Sequence, residues 1–173
     1  GEDEKLWQSL TDPQQREMAM VIEMYTNAAH QSHAGAQHNL GALYLKGKGV
    51  AQDRKKAAQW YHKAADQGFL NAQGSLGQMY YTGLGVVQDL KKAVQWFRKA
   101  ADQGNASAQF NLGRVYNEDK GVAEDPKKAA QWFRKAADQG HVDAQFGLGT
   151  FYIEGKGVAQ DLKKAAQWFR KAA

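Results

Sequence analysis

Apolar positions along the chain follow a pattern that restarts every 36 residues. In each period a first segment carries alanine, leucine and tyrosine at helical spacing, and a second carries alanines and an aromatic pair at the same spacing. Spacing near 3.6 residues predicts an amphipathic helix with one buried face for each segment. Tryptophan marks the period most clearly, at Trp60, Trp96, Trp132 and Trp168. A fixed period of this length indicates a stacked array of small helical units.

Two helices are predicted in every period, and we call them helix A and helix B. Glycine ends helix A, because it reaches the left-handed conformation of a helix C-cap without steric strain. An aspartate before helix B, Asp53 in the first copy, is a suitable N-cap. The four helices A are predicted near 34–46, 70–82, 106–118 and 142–154, and the helices B near 54–67, 90–103, from 126 and from 162.

The periodicity divides the chain into an N-terminal segment, a leading helix and four repeats. Residues 1–12 are predicted to cap the first unit, and 13–33 form a leading helix that is a degenerate helix B, with Asp12 as N-cap and Pro13 as first residue. The repeats are 34–68, 69–104, 105–140 and 141–173. Asp119 replaces a loop glycine in the third repeat, which predicts an altered loop there. The fourth copy lacks its final Asp-Gln-Gly, so two interpretations stay open: the natural protein continues, or this end is a surface for homo-oligomer contacts.

A glycine follows a leucine in the middle of every helix A. An exposed glycine at such a position costs about 1 kcal/mol relative to alanine, so its repetition implies a compensating contact. We expect close approach of the small residues of helix B, Ala57 and Ala64 in the first repeat, with the large rings filling the space to either side. The four glycines are Gly41, Gly77, Gly113 and Gly149.

These motifs resemble the Sel1-like repeat (SLR) of the tetratricopeptide-repeat superfamily. The second repeat matches it at Ala72, Leu76, Gly77, Tyr80, Gly83, Gly85, Val86, Asp89, Lys92, Ala93, Trp96, Phe97, Lys99, Ala100, Ala101 and Gly104. The resemblance covers about residues 24–173. It implies an all-α, right-handed superhelical solenoid of antiparallel helix pairs, with helix A lining the concave face, and a role as a non-enzymatic adaptor or recognition scaffold. In bacteria such proteins serve in signalling, envelope biogenesis, host interaction and immunity against secreted effectors. Some members join each helix pair by a disulfide, which this cysteine-free chain does without.

Candidate binding residues follow from comparing the repeats with one another. One arc of helix A is nearly constant, whereas the arc holding positions 35, 38, 39, 42, 45 and 46 differs between copies. We call these positions and their equivalents the divergent surface. Exposed aromatic and aliphatic side chains there would form an unfavourable apolar patch without a partner. The predicted groove for a peptide or protein is formed by His38, Asn39, Gln78, Tyr81, Phe110, Asn111, Arg114 and Phe146. Drift of solvent-exposed positions is the alternative explanation.

Lysine pairs provide a second candidate surface. They open each helix B, at Lys55-Lys56 and its three equivalents, and stacking would align them for nucleic acid or anionic membrane. A solvated rim is the preferred interpretation, because the aromatic residues of helix B lie on its buried face rather than between the cations. Arg98 with Asp102, and Arg134 with Asp138, are expected to balance the helix ends partly.

Composition excludes several other functions. The net charge of +5 is too small for a dedicated nucleic-acid binder, and without cysteine there is no thiolate metal site. His30, His33 and His38 cluster in sequence, but no carboxylate accompanies them, so no metal, cofactor or catalytic residue is predicted. No transmembrane segment is predicted. The chain begins with Gly1 rather than Met, which is compatible with the removal of a leader peptide. The compartment stays open between the cytoplasm and export, with export favoured.

Overall fold

The computed structural model describes residues 11–118 and 123–173, and all regular structure within them is helical. The helices follow the 36-residue period, so the predicted all-α class of paired helices is confirmed. The leading helix is α1, Asp12–His30. The helices A are α2 (Ala34–Lys46), α4 (Leu70–Thr82), α6 (Ala106–Asn117) and α8 (Val142–Glu154). The helices B are α3 (Arg54–Asp66), α5 (Leu90–Asp102), α7 (Pro126–Asp138) and α9 (Leu162–Ala172).

The chain forms two compact units, one up to Gln88 and the other from Asp89. The first contains α1 to α4 and the second α5 to α9. Within each unit, consecutive helices pack against each other.

The start of α1 differs by one residue from the prediction. Thr11 is the N-cap, and Asp12 is already the first helical residue. The reason is a capping box, in which the backbone N–H of Thr11 donates to the side-chain oxygen of Gln14 at 3.0 Å. The predicted N-terminal cap lies, over residues 1–10, outside the described part of the chain.

The caps of the helices B are as predicted from the aspartates. Asp53, Asp89, Asp125 and Asp161 each accept a hydrogen bond from a backbone N–H three residues later, at 2.9–3.0 Å. A carboxylate at this place satisfies an unpaired donor and interacts favourably with the helix dipole.

Alanine and tryptophan fill the space between the helices. The alanines at positions 57 and 64 and their equivalents at 93, 100, 129 and 136 are fully buried. Trp96, Trp132 and Trp168 are less than 10% exposed. Trp60 is half-buried and meets the ring of His30 edge-on, with centroids 5.5 Å apart. Trp96, Trp132 and Trp168 are therefore core residues, and Trp60 packs at the edge of the core.

The helix A glycines make a contact different from the one we expected. A Cβ at Gly41 would lie 2.8 Å from the ring of Tyr61, and one at Gly113 would lie 2.5 Å from the ring of Phe133. Gly149 faces Phe169 in the same way, at 2.7 Å. The expected close approach of Ala57 is present at Gly41, where its backbone carbonyl would lie 3.2 Å from an added Cβ, but the rings lie directly over these three glycines rather than to either side.

A buried glutamine links each helix A to the preceding helix. Gln109 donates through Nε2 to the carbonyl of Ala101 at 3.1 Å, and its Oε1 accepts from Nε2 of Gln139 at 2.7 Å. Gln37 makes the same two contacts, to Ala29 and from Gln67. Each of these carbonyls also accepts a backbone N–H from the turn after its helix, as Ala101 does from Gly104 at 3.0 Å, so the glutamine adds a second donor at the helix end. In α8 the Nε2 bond of Gln145 to Ala137 is present, while its Oε1 is buried without a partner among the described residues.

Helix α6 of the third repeat ends differently from the other helices A, just before the loop in which Asp119 predicts altered geometry. Helices α2, α4 and α8 end at a left-handed glycine, for example Gly155 with φ +66°. In α6 the C-cap is instead Glu118, in extended conformation with φ −102°. Residues 119–122, including Asp119 itself, lie outside the described part of the chain.

Candidate functional site

The divergent surface is carried by α2 and α4 in the first unit and by α6 and α8 in the second. The opposite arc of these helices is buried: Ala36, Gln37 and Leu40 in α2 have buried equivalents in each later helix A. Side chains on the divergent surface are therefore positioned by a rigid helix whose other face is fixed in the core.

In the first unit, His38 packs between two rings. Its centroid lies 5.3 Å from that of Tyr61 and 5.4 Å from that of Phe69. Burial lowers the pKa of the His38 imidazole, while a hydrogen bond with Asn39 opposes that shift. His38 is therefore neutral at physiological pH and contributes an aromatic surface rather than a positive charge.

The other candidates in the first unit are more accessible. Asn39 and Gln78 are exposed, and Tyr81 is half-buried. The backbone carbonyl of Tyr81 accepts a hydrogen bond from Gln88 at 2.8 Å, which connects this helix end to the loop after it. Side-chain amides offer both donors and acceptors to a partner.

In the second unit, the structure brings Phe110 and Arg114 together on α6. The Arg114 guanidinium lies 5.8 Å from the Phe110 ring centroid, and its Nη2 is 3.8 Å from Oε1 of Glu118. Phe110 itself is half-buried, because it stacks on His141 with centroids 4.7 Å apart and also contacts Phe133. Asn111, beside it, is half-buried as well.

Helix α8 presents the most exposed apolar residues of the divergent surface. Phe146 is 60% exposed and Ile153 is 43% exposed. Val142, at the position equivalent to 34 and therefore next to the divergent surface rather than on it, is 56% exposed and lies within 40° of both around the helix, given about 100° per residue. The Phe146 ring rests on Phe169, with centroids 5.2 Å apart. The three exposed residues form what we call the α8 stripe.

Sequence reasoning missed that position 38 and its equivalents are ring-stacking sites. The signal was available: rings occur together at His38 and Phe69, and again at Phe110 and His141, each pair 31 residues apart. In the second repeat, where position 74 is glycine, the residue 31 positions later is Asn105.

The lysine pairs are partly neutralised by the caps. The second lysine of each pair binds the N-cap aspartate, as Lys128 binds Asp125 at 2.8 Å. This contact lowers the pKa of the Asp125 carboxyl and raises that of Lys128, chiefly through the hydrogen bond between them. Arg98 and Arg134 were expected to pair with the aspartates four residues later, but they do not reach them. They donate instead to the hydroxyls of Tyr116 and Tyr152.

The three N-terminal histidines have separate structural contacts. His30 meets Trp60, His33 accepts the N–H of Ala36 at 3.0 Å as the cap of α2, and His38 lies between Tyr61 and Phe69. Over 11–118 and 123–173, no three histidine or carboxylate side chains come together in a way that could hold a metal ion. Every helix in these ranges is too short or too polar to cross a bilayer.

Paired helices at a 36-residue period, with glycine under a ring and tryptophan in the core, define an SLR-type helical repeat protein. The family profile described as "Sel1 repeat" matches residues 34–69, 70–105, 106–141 and 142–173. The chain therefore belongs to the Sel1 repeat family, whose members generally act as protein-interaction scaffolds.

Three solved bacterial structures show the same fold. A protective antigen of uropathogenic Escherichia coli strains, displaying an SLR fold, has 40% identity and a TM-score of 0.85, over 87% of this chain and 32% of that one. A Sel1 repeat protein from Oxalobacter formigenes has 40% identity and a TM-score of 0.77, over 87% and 44%. Cysteine rich protein B of Helicobacter pylori has 32% identity and a TM-score of 0.55, over 70% and 86%. This chain thus spans less than half the length of the first two, and no curated protein gives a match.

Proposed function

We propose that the chain is a non-enzymatic adaptor that binds a peptide or protein through the divergent surface of its helices A. Regulation, host interaction and immunity against effectors are the roles that such a scaffold serves. The support is the contrast within each helix A, where the core-facing arc repeats and the other arc changes from copy to copy. Positions that packing does not fix are available for recognition.

The contrast between the two arcs carries the proposal, and the α8 stripe supplies an apolar centre for binding. Val142, Phe146 and Ile153 are all exposed, although a phenylalanine gains roughly 1.5–3 kcal/mol when it is fully buried. Exposed apolar residues aligned on one helix face mark interaction sites. Arg114 and Asn111, in the same unit, would add polar contacts to this apolar centre, as is usual in protein interfaces.

A basic surface for nucleic acid or anionic membrane is the competing function. Pairing of the second lysines with aspartates reduces the net charge of that row. If this function held, affinity would fall steeply with added salt, since polyanion binding releases counterions. Binding through the α8 stripe would change little with salt.

Replacing both Phe146 and Ile153 with alanine should weaken partner binding by about thirtyfold, since truncating a central apolar anchor costs about 2 kcal/mol. The partner is first captured by the intact chain and then titrated against purified protein by calorimetry. Phe146 and Ile153 are suitable because both are largely exposed, whereas truncating half-buried Phe110 would also disturb its packing on Phe133 and His141.

Leu162→Ala is the matched control for that experiment. Leu162 is 64% exposed, lies in the same unit and belongs to a helix B. We expect the control to bind like the original chain and both variants to keep its thermal midpoint. Unchanged affinity of the folded double variant would refute binding at the α8 stripe.

A further inference from the structure

A cationic cleft lies on α7, on helix B rather than on the divergent surface. Lys127, Gln131 and Arg134 are exposed and follow one face of α7, at spacings of four and three residues. Together with Ala130, Gly157 and Val158 they line a cleft of about 190 Å³. No carboxylate is among the lining residues.

The following A–B loop forms the other wall of this cleft and is fixed against α7. Gly157 is in the left-handed region, with φ +69°, and a Cβ there would overlap the backbone carbonyl of Pro126. Lys156 beside it binds Glu124 with 3.0 Å between Nζ and Oε1. The loop is therefore held at the first turn of α7.

Arg134 is oriented before any ligand arrives. Its Nη2 donates to the hydroxyl of Tyr152, and its Cζ lies 5.6 Å from the Tyr152 ring centroid and 6.0 Å from that of Trp168. A guanidinium has five N–H donors, so most of them stay available. Because the side chain is already held in place, a ligand would restrict its motion little further.

No described residue neutralises either cation of the cleft. Within 11–118 and 123–173, Lys127 and Arg134 make no ion pair, in contrast to Lys128, which binds Asp125 at 2.8 Å. The Gln131 amide makes no hydrogen bond within those residues either. The cleft thus combines two positive charges with several unused donors.

We propose that the α7 cleft binds a phosphate monoester or free phosphate ion. Such a group carries between one and two negative charges at neutral pH and several acceptor oxygens, which match two cations and a nearby amide. The volume of the cleft suits one such group. In the first repeat the equivalent of Arg134 is His62, which binds Asp66 at 2.9 Å. In the second repeat, Arg98 donates to the hydroxyl of Tyr116, and the A–B loop that follows, at 119–122, lies outside the described residues.

The test is a titration of the ¹⁵N-labelled full chain with inorganic phosphate at low ionic strength, followed by NMR. We expect saturable shifts at the Arg134 Nε–H and at the backbone amides of Gly157 and Val158. Lys127→Gln and Arg134→Gln should each weaken binding by about tenfold, or about 1.4 kcal/mol, because each removes a charged donor. Lys163→Gln is the control, because it removes the same charge at the equivalent position of α9.

Arg134→Gln also removes the contact to Tyr152, so Lys127→Gln provides a second test that leaves that contact in place. A short phosphoserine peptide and its unphosphorylated form distinguish the source of the phosphate. Tighter binding of the phosphopeptide supports a phosphorylated protein, and equal or tighter binding of inorganic phosphate supports the free ion. Absence of saturable shifts, equal losses in Lys163→Gln, or tighter binding of a single-stranded oligonucleotide across all four helices B would overturn the proposal.

Discussion

Gly113→Ala should lower the free energy of unfolding by about 2 kcal/mol, even though alanine favours a helix over glycine by about 1 kcal/mol. The added Cβ would lie 2.5 Å from the Phe133 ring. That ring has little room to move, because Phe133 is buried and contacts both Phe110 and Phe151. Strain therefore outweighs the gain in helix propensity. Urea unfolding monitored by circular dichroism measures the change.

Gly74→Ala is the matched control for this prediction. Gly74 also lies within a helix A, but a Cβ there would have nothing within 4 Å. Without a clash, the substitution should stabilise the chain by about 0.5–1 kcal/mol. The double variant with Gly113→Ala and Phe133→Leu should be more stable than the sum of the two single changes in unfolding free energy predicts. The two effects are coupled because they act through one contact. Equal effects of Gly113→Ala and Gly74→Ala would contradict the ring-on-glycine packing.

Gly157→Ala is expected to lower the free energy of unfolding by about 3 kcal/mol. The left-handed conformation costs a residue with a Cβ about 1–2 kcal/mol. The remainder of the loss in unfolding free energy comes from overlap with the backbone carbonyl of Pro126. A backbone atom in a helix cannot move aside as a flexible side chain can. The same unfolding experiment measures the loss.

Gly155→Ala separates the two contributions. Gly155 has nearly the same φ, +66°, but a Cβ there would lie no closer than 3.4 Å to its neighbours. We expect it to lose only about 1 kcal/mol, the part due to conformation. If both alanine variants lost the same amount, the contact between the loop and α7 would contribute nothing to stability.

Much of this architecture is predictable from sequence because it depends on local signals. The glycine that ends helix A, the aspartate that caps helix B and the apolar spacing act within a few residues, and they predict the observed helices closely. The burial of Trp96, Trp132 and Trp168 follows in the same way from the period.

The contacts that sequence reasoning missed join residues far apart in the chain. Gly113 and Phe133 are on different helices. The sequence pattern fits either an alanine or an aromatic ring as the group that packs on the repeated glycine. Arg134 was assigned to Asp138 by helical spacing, yet Tyr152 on the next helix A competes successfully for it. The divergent surface itself was predictable, because each position of helix A occurs in four repeats and its residues can be compared with one another. Which of its rings stack inward depends on the packing between repeats.

The central claim is that a partner binds the divergent surface of the helices A. Site-specific photocrosslinking tests it most directly, with benzoylphenylalanine at position 146 and, in a separate variant, at position 162. Both positions are exposed and apolar in the second unit, but only Phe146 belongs to a helix A. We predict a covalent adduct of chain and partner from position 146 and none from position 162. An adduct from position 162 alone would contradict the claim.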